Sequence, residues 1–290
     1  MFSGTMTALV TPFQDGRIDE HALIALVEAQ IAGGIDGLVP CGTTGEAATL
    51  TAAEHAEVIR ITVRAAKKRV PVVAGAGSNS TDRAIELSRA AREAGADGLL
   101  HVTPYYNKPS QEGCFRHFQA ILAAEPMPTI VYNVPGRTNV DLQVETLVRI
   151  AELKHVVGIK EATGSVARSQ AIRSRLGNRF TIWSGEDAIN YPLYCVGAGG
   201  CISVLGNVAP ALVSECWDAF LAGDTKKALA AHERALPLVD VLFSDTNPIP
   251  AKAALAEMGM MTREIRLPLY PLTGGPLDRL KAVLAELKLS

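Results

Sequence analysis

The chain has 290 residues, of which 48% are hydrophobic and 20% are charged, and its formal net charge is −2. This composition is typical of a soluble globular protein and argues against a disordered chain. Charges of both signs are interspersed without a basic stripe, so we expect neither a nucleic-acid partner nor an acidic membrane surface as a partner.

The cysteines and the amino terminus both indicate a reducing compartment. The five cysteines are scattered and form no C-x-x-C pair, so no disulfide framework is expected. The opening MFSGTMTALVTPF lacks the features of a signal peptide, and no apolar run approaches the roughly 20 residues that span a bilayer. His101 and His155 lie in apolar runs without a second ligand at metal-binding spacing, which favours packed histidines. We therefore predict a cytoplasmic protein without a metal.

Short apolar segments alternate with longer segments of helical period along most of the chain. The eight candidate strands are Gly4–Val10, Gly37–Pro40, Val70–Gly75, Gly98–Thr103, Thr129–Asn133, Val156–Lys160, Phe180–Ser184 and Cys201–Val204. Their nearly continuous apolar character is typical of parallel strands covered on both faces. Eight strands in βα alternation predict a (β/α)8 TIM barrel, an α/β fold that takes about 250 residues. A doubly wound open sheet is the alternative, but it requires a nucleotide-binding fingerprint that we do not find.

Local signals support this repetition. The segments 32–40, 94–102 and 197–204 each place glycine at a helix end before an apolar strand. Glycine there can adopt the left-handed conformation without a Cβ penalty. Thr51 and Glu54 have capping-box spacing, which predicts that a helix begins after the second strand.

The pattern changes after the eighth strand, where the sequence predicts helices only. Breaks are expected near Gly223, Asn247–Pro250 and Pro268–Pro276. The first of these helices completes the barrel. We expect a barrel over residues 1–224 and a C-terminal helical region over residues 225–290 that packs on it, with Asn247 near the barrel mouth.

Polar residues gather where the predicted strands end, and TIM barrels hold their active sites at this face. These strand ends read CGTTGE (41–46), TPYYN (103–107), YNVPGR (132–137), GIKEATG (158–164), WSGED (183–187) and Ile202-Ser203. The sequence therefore predicts an active site at the mouth of the barrel.

Lys160 is the most informative of these positions because it ends the apolar segment HVVGIK. Burial disfavours the charged ammonium and lowers its pKa from about 10.4 towards a range in which the amine is nucleophilic. A neutral amine can add to a ketone and lose water, and the resulting protonated imine stabilises a carbanion on the neighbouring carbon. A solvated surface lysine is the alternative interpretation.

A Schiff-base lysine that acts on an oxo acid needs a carboxylate-binding group and a proton-transfer group. The GTTGE segment supplies the hydroxyls of Thr43 and Thr44 and glycine-flanked backbone N–H groups that suit an anion. Tyr132 should point its hydroxyl to the same mouth, and Arg137 can bind a carboxylate through two hydrogen bonds. Taken singly, these residues also fit an ordinary turn, a packed tyrosine and a surface ion pair.

Four motifs together carry a family resemblance. CGTTGE, VTPYYNKPSQEG, YNVPGRT and GIKEATG, in this order and spacing, resemble the dihydrodipicolinate synthase family, and the likeness extends along essentially the whole chain. The resemblance implies condensation of pyruvate with aspartate 4-semialdehyde to 4-hydroxy-tetrahydrodipicolinate, the first committed step towards diaminopimelate and lysine, without a metal or organic cofactor.

The resemblance also implies roles for individual residues. Lys160 matches the Schiff-base lysine, and Tyr132 matches the proton donor and acceptor. Thr43 matches the link from Tyr132 to Tyr106, which in the family reaches into the site of a neighbouring subunit. A homotetramer built from two tight dimers is implied as well.

The substrate-binding residues follow in the same way. Thr43 and Thr44 match the residues that bind the pyruvate carboxylate, and Ile202 lends a backbone carbonyl near it. Arg137 matches the group that orients the carboxylate of the semialdehyde, and Gly185 lines the site. Other pyruvate aldolases, such as sialic-acid lyases, share the lysine and the tyrosine and are the first alternative, although Thr44 and Arg137 favour the synthase. A non-catalytic barrel used for binding is the more distant alternative.

One departure from the family concerns inhibition by lysine. Lysine-inhibited relatives bind lysine between subunits through a histidine and a glutamate at positions that here read Ala52 and Arg83, while His55, Asn79 and Tyr105 are retained. An arginine repels the ammonium of lysine where a carboxylate would attract it. We therefore expect weak inhibition by lysine or none.

Overall fold

A computed structural model describes residues 2–289. The eight strands are β1 (Gly4–Ala8), β2 (Gly37–Val39), β3 (Val73–Gly75), β4 (Gly98–Val102), β5 (Thr129–Asn133), β6 (Val156–Glu161), β7 (Thr181–Ser184) and β8 (Gly200–Ser203). They form one parallel sheet in the order β2-β1-β8-β7-β6-β5-β4-β3, and a bridge between Leu38 and Val72 joins its two ends into a barrel. The predicted TIM barrel is therefore confirmed, and each predicted strand is present with its ends shifted by at most a few residues.

Helices follow the strands and continue beyond the barrel. They are α1 (Glu20–Ala32), α2 (Ala52–Ala66), α3 (Thr81–Glu93), α4 (Gln111–Ala124), α5 (Pro135–Thr138), α6 (Val144–Ala151), α7 (Val166–Leu176), α8 (Asn190–Cys195), α9 (Pro210–Leu221), α10 (Thr225–Leu242), α11 (Ile249–Glu257) and α12 (Gly274–Glu286). The predicted capping box begins α2, because the side chains of Thr51 and Glu54 each accept a hydrogen bond from the backbone N–H of the other. The helix-end glycines Gly34, Gly95 and Gly197 have positive φ values of 84°, 93° and 94°, as predicted.

The sequence interpretation missed a hairpin between β1 and α1. Phe13–Gln14 pairs antiparallel with Arg17–Ile18, and Asp15-Gly16 forms the turn with φ values of 53° and 77°. An Asp-Gly pair is a strong two-residue hairpin signal. Strands of two residues are too short to show an alternating hydrophobic pattern, so only the turn could have revealed them.

Strand register directs the key side chains into the barrel. Lys160 is aligned with Tyr132 on β5 and with Trp183 on β7. Successive residues of a strand point to opposite faces. Accordingly, Ile159 packs in the apolar layer between the sheet and its helices, and Glu161 pairs with Arg168 of α7 at 2.8 Å.

The C-terminal helices pack directly on the barrel. One apolar cluster joins Leu9 and Leu26 from the barrel region to Leu238, Leu255 and Leu280 on α10, α11 and α12. Among the described residues, no helix combines the length and the apolar character that a membrane crossing requires.

Candidate active site

Lys160 lies at the carboxyl end of β6 with only 5% of its surface exposed. Its Nζ atom is 4.5 Å from the centroid of the Tyr132 ring. Burial lowers the pKa of Lys160 to about 8; the Asp187 carboxylate opposes this effect, and the positive charge of Arg137 reinforces it. A substantial fraction of the amine is therefore neutral in mildly alkaline solution, as a nucleophile requires.

Tyr132 is a proton-carrying group beside this amine. Burial raises the pKa of Tyr132 to about 12, although the charge of Arg137 and the hydroxyl of Thr43 act in the opposite direction. Its phenol therefore stays protonated at neutral pH and can supply a proton or a hydrogen bond next to Lys160.

A cavity of about 520 Å³ is lined by Tyr132, whereas Lys160 itself is not among its lining residues. Thr43, Tyr132 and Arg137 of the predicted site line it. Gly185 approaches the same lysine from β7, because a Cβ atom at this glycine would lie 3.0 Å from Cγ and Cε of Lys160. Ile202 belongs to the buried apolar cluster inside the barrel that also contains Tyr132.

Asn247 connects two residues of the predicted site. Its Nδ2 donates a hydrogen bond to Oγ1 of the buried Thr44 at 2.9 Å. Its backbone carbonyl accepts a hydrogen bond from Nη2 of Arg137 at 3.3 Å. The predicted position of Asn247 near the barrel mouth is therefore confirmed, and the C-terminal region contributes directly to the site.

Tyr106 is not brought to the site of its own chain. Its side chain is 87% exposed and its backbone has a φ of 71°, in the left-handed region. The neighbouring Tyr105 lines the cavity instead. Within one chain, the fold thus assembles Lys160, Tyr132, Thr43 and Arg137 without Tyr106.

Sequence reasoning missed the role of two carboxylates that follow β7. Oδ2 of the buried Asp187 accepts hydrogen bonds from the backbone N–H groups of Val204 and Leu205, both at 2.9 Å, and thereby fixes the turn after β8. Burial raises the pKa of Glu186. The signal was present in the sequence, since both acids directly follow a predicted strand end, but nothing in the spacing distinguished them from an ordinary turn.

Three of the five positions implicated in lysine inhibition lie along the same cavity. His55, Arg83 and Tyr105 line it. The Nε2 atom of His55 is 2.8 Å from the carbonyl oxygen of Gly75, and burial lowers the pKa of this histidine. Within residues 2–289, no three His, Cys, Asp or Glu side chains are grouped so that they could hold a metal ion.

A buried lysine beside a phenol at the end of a barrel strand is the arrangement that a TIM-barrel enzyme with a nucleophilic amine requires. Comparison with known proteins narrows this class. The chain belongs to the dihydrodipicolinate synthetase family, whose model matches residues 1–287.

Several relatives are similar over their full length. The chain is 51% identical to the 4-hydroxy-tetrahydrodipicolinate synthase of Syntrophus aciditrophicus over 284 residues, which is 98% of each chain. It is 50% identical to the enzyme of the same name from Geobacter sulfurreducens over 289 residues, covering 100% of both. Among solved structures, the chloride-inhibited dihydrodipicolinate synthase of Acinetobacter baumannii complexed with pyruvate superposes with a TM-score of 0.98 at 45% identity, covering 100% of both chains.

Proposed function

We propose that this protein is a lyase that condenses pyruvate with L-aspartate 4-semialdehyde through a Schiff base on Lys160 to give 4-hydroxy-tetrahydrodipicolinate. The observation that carries the proposal is the buried amine of Lys160, 4.5 Å from the Tyr132 ring centroid, with its pKa lowered to about 8. Membership of the dihydrodipicolinate synthetase family supports the choice of substrates.

The first stage joins pyruvate to the protein. The neutral amine of Lys160 attacks the C2 carbonyl of pyruvate, and the carbinolamine loses water to give the imine. Thr43 and Thr44 bind the carboxylate of pyruvate, with the backbone carbonyl of Ile202 nearby. Tyr132 delivers the proton that makes hydroxide leave as water, since its phenol is protonated at neutral pH.

The second stage forms the carbon–carbon bond. Tyr132, which gave up its proton in the first stage, takes a proton from C3 of the imine to give an enamine. C3 then attacks the aldehyde carbon of the semialdehyde, and Tyr132 returns the proton to the aldehyde oxygen. Arg137 holds the carboxylate of this second substrate, and Gly185 leaves room beside Lys160. The amino group of the adduct then attacks C2 and displaces the Lys160 amine, which closes the ring and frees the enzyme.

The assembly is part of the same proposal. We place Tyr106 in the active site of a neighbouring copy, where it exchanges protons with Tyr132 through Thr43, in a homotetramer of two tight dimers. The 87% exposure of Tyr106 supports this role, because an aromatic side chain so open to solvent is available to a second chain. We also propose a cytoplasmic location, supported by the five free thiols at Cys41, Cys114, Cys195, Cys201 and Cys216.

Borohydride trapping tests the chemistry directly. Incubating the protein with pyruvate and borohydride should add one reduced pyruvate to the peptide that contains Lys160, as read by mass spectrometry. Lys160→Ala should abolish the adduct, whereas Lys154→Ala, an exposed lysine just before the same strand, should retain it. An adduct on another lysine, or none, would contradict the proposal. Cleavage of N-acetylneuraminate to pyruvate, without turnover of the semialdehyde, would reassign the reaction to another pyruvate aldolase.

A further inference from the structure

A buried ion pair lies beneath the loop that carries Thr43 and Thr44. Glu46 ends the GTTGE segment, and Lys252 lies on α11. The Nζ atom of Lys252 is 2.5 Å from Oε1 of Glu46, and each side chain is 1% exposed. The two residues are 206 positions apart in the sequence, so the pair joins the C-terminal region to the loop after β2.

Both members of the pair have further partners. Oε2 of Glu46 accepts a hydrogen bond from the backbone N–H of Arg266 at 3.0 Å. Nζ of Lys252 also donates to the carbonyl oxygen of Thr11 at 2.9 Å and lies 4.4 Å from the centroid of the Phe13 ring. Buried charges are costly unless they are paired and hydrogen-bonded, so this network defines the positions of its members closely.

Short contacts run from this pair to the proposed carboxylate-binding residues. The backbone N–H of Glu46 donates to the carbonyl oxygen of Thr43 at 3.1 Å. The hydroxyl of Thr11, whose carbonyl binds Lys252, donates to the carbonyl oxygen of Gly45 at 2.7 Å. Glu46 itself has a φ of 54°, a left-handed conformation that is uncommon for a residue other than glycine and that the surrounding contacts must maintain.

We infer that the Glu46–Lys252 pair is a positioning device that holds Thr43 and Thr44 in the geometry that binds the carboxylate of pyruvate. This inference rests on the proposed function. Glu46 lies beside the cavity, but its two carboxylate oxygens are bonded to Lys252 and to the backbone N–H of Arg266. Glu46 therefore acts through the backbone of the loop, and Lys252 acts through Glu46 and Thr11. Displacements of about 1 Å in such a loop can reduce catalytic efficiency by roughly a hundredfold.

A purely structural role makes a different prediction from a positioning role. If the pair only stabilises the fold, replacing both charges by neutral groups of similar size should leave pyruvate binding unchanged wherever the protein folds. If the pair positions the loop, the same replacement removes the anchor, and the affinity for pyruvate falls although no unpaired charge is left behind.

The test uses the double variant Glu46→Gln/Lys252→Met in the full chain. We expect the KM for pyruvate to rise roughly tenfold or more, with a much smaller change in kcat. Borohydride should still trap pyruvate on Lys160 at saturating concentration. Lys281→Met is the matched control, because it removes an exposed lysine of α12 that contacts Glu257 on α11, the helix that carries Lys252. Its KM should equal that of the wild type.

A second variant covers the case in which the double variant does not fold. Glu46→Asp keeps the buried charge on a side chain that is one methylene group shorter. If the aspartate still pairs with Lys252, the loop must move, and the KM for pyruvate should rise as well. A folded variant of either kind with the wild-type KM would overturn the positioning role. Failure of the wild type to form a Lys160 adduct in the same assay would instead count against the proposed function.

Discussion

A Cβ atom at Gly185 would lie 3.0 Å from both Cγ and Cε of Lys160 and 2.8 Å from Cβ of Ala162. Contacts this short force a neighbour to move. Because glycine has no side chain, Gly185 leaves the space that the side chain of Lys160 occupies as it extends to the barrel mouth.

We predict that Gly185→Ala slows imine formation with pyruvate by at least roughly tenfold, because the lysine must leave its present path. The rate of borohydride-trapped adduct formation measures this effect. Gly275→Ala is the control, since a Cβ atom there meets nothing within 4 Å. An unchanged trapping rate in Gly185→Ala would show that the lysine does not need this space.

The rate of imine formation should depend on pH through Lys160. Because the pKa of this amine is lowered to about 8, the neutral fraction and the rate should rise roughly tenfold per pH unit below pH 8 and level off above it. Arg137→Met should move this profile to higher pH, since the positive charge of Arg137 lowers the pKa of Lys160. Asp187→Asn should move it to lower pH, since the Asp187 carboxylate raises that pKa. Shifts in the same direction for both variants would contradict this electrostatic account.

Mixed oligomers test whether Tyr106 acts in a neighbouring copy. Lys160→Ala and Tyr106→Phe should each be nearly inactive alone. Refolding the two variants together should restore activity, because a subunit with Lys160 then receives Tyr106 from its partner. Activity should be assayed on the hybrid isolated with two different tags, and a hybrid no more active than Tyr106→Phe alone would argue that Tyr106 has no role across the interface.

Weak inhibition by lysine remains a prediction. Arg83 lines the cavity, with its Nη1 atom donating to Glu86 at 3.0 Å, and so presents a positive charge where lysine would bring another. The double variant Ala52→His/Arg83→Glu should become sensitive to lysine in a steady-state assay, and the surface variant Arg60→Glu should not. Half-inhibition of the wild type by sub-millimolar lysine would contradict the prediction.

The sequence allowed the barrel and most of the site to be predicted for a simple reason. Strands covered on both faces are short apolar runs, and the polar residues that end them meet at one face, which is how Lys160, Tyr132 and Thr43 could be grouped. The Glu46–Lys252 pair could not be predicted in this way, because the partners are 206 residues apart and a helical lysine carries no local sign of burial. The exposure of Tyr106 could not be predicted from the sequence either, since it depends on the conformation of the loop after β4.

We continue to propose a boundary near residue 224 between the barrel and the helical region, and the buried lysine on α11 limits what that boundary can mean. A hybrid protein that joins residues 1–224 of this chain to the C-terminal region of a homologue would take Glu46 from one parent and the residue that pairs with it from the other. Such hybrids should bind pyruvate well only when the C-terminal region of the homologue also carries a lysine or arginine at the position of Lys252. The two regions are therefore expected to change together in evolution.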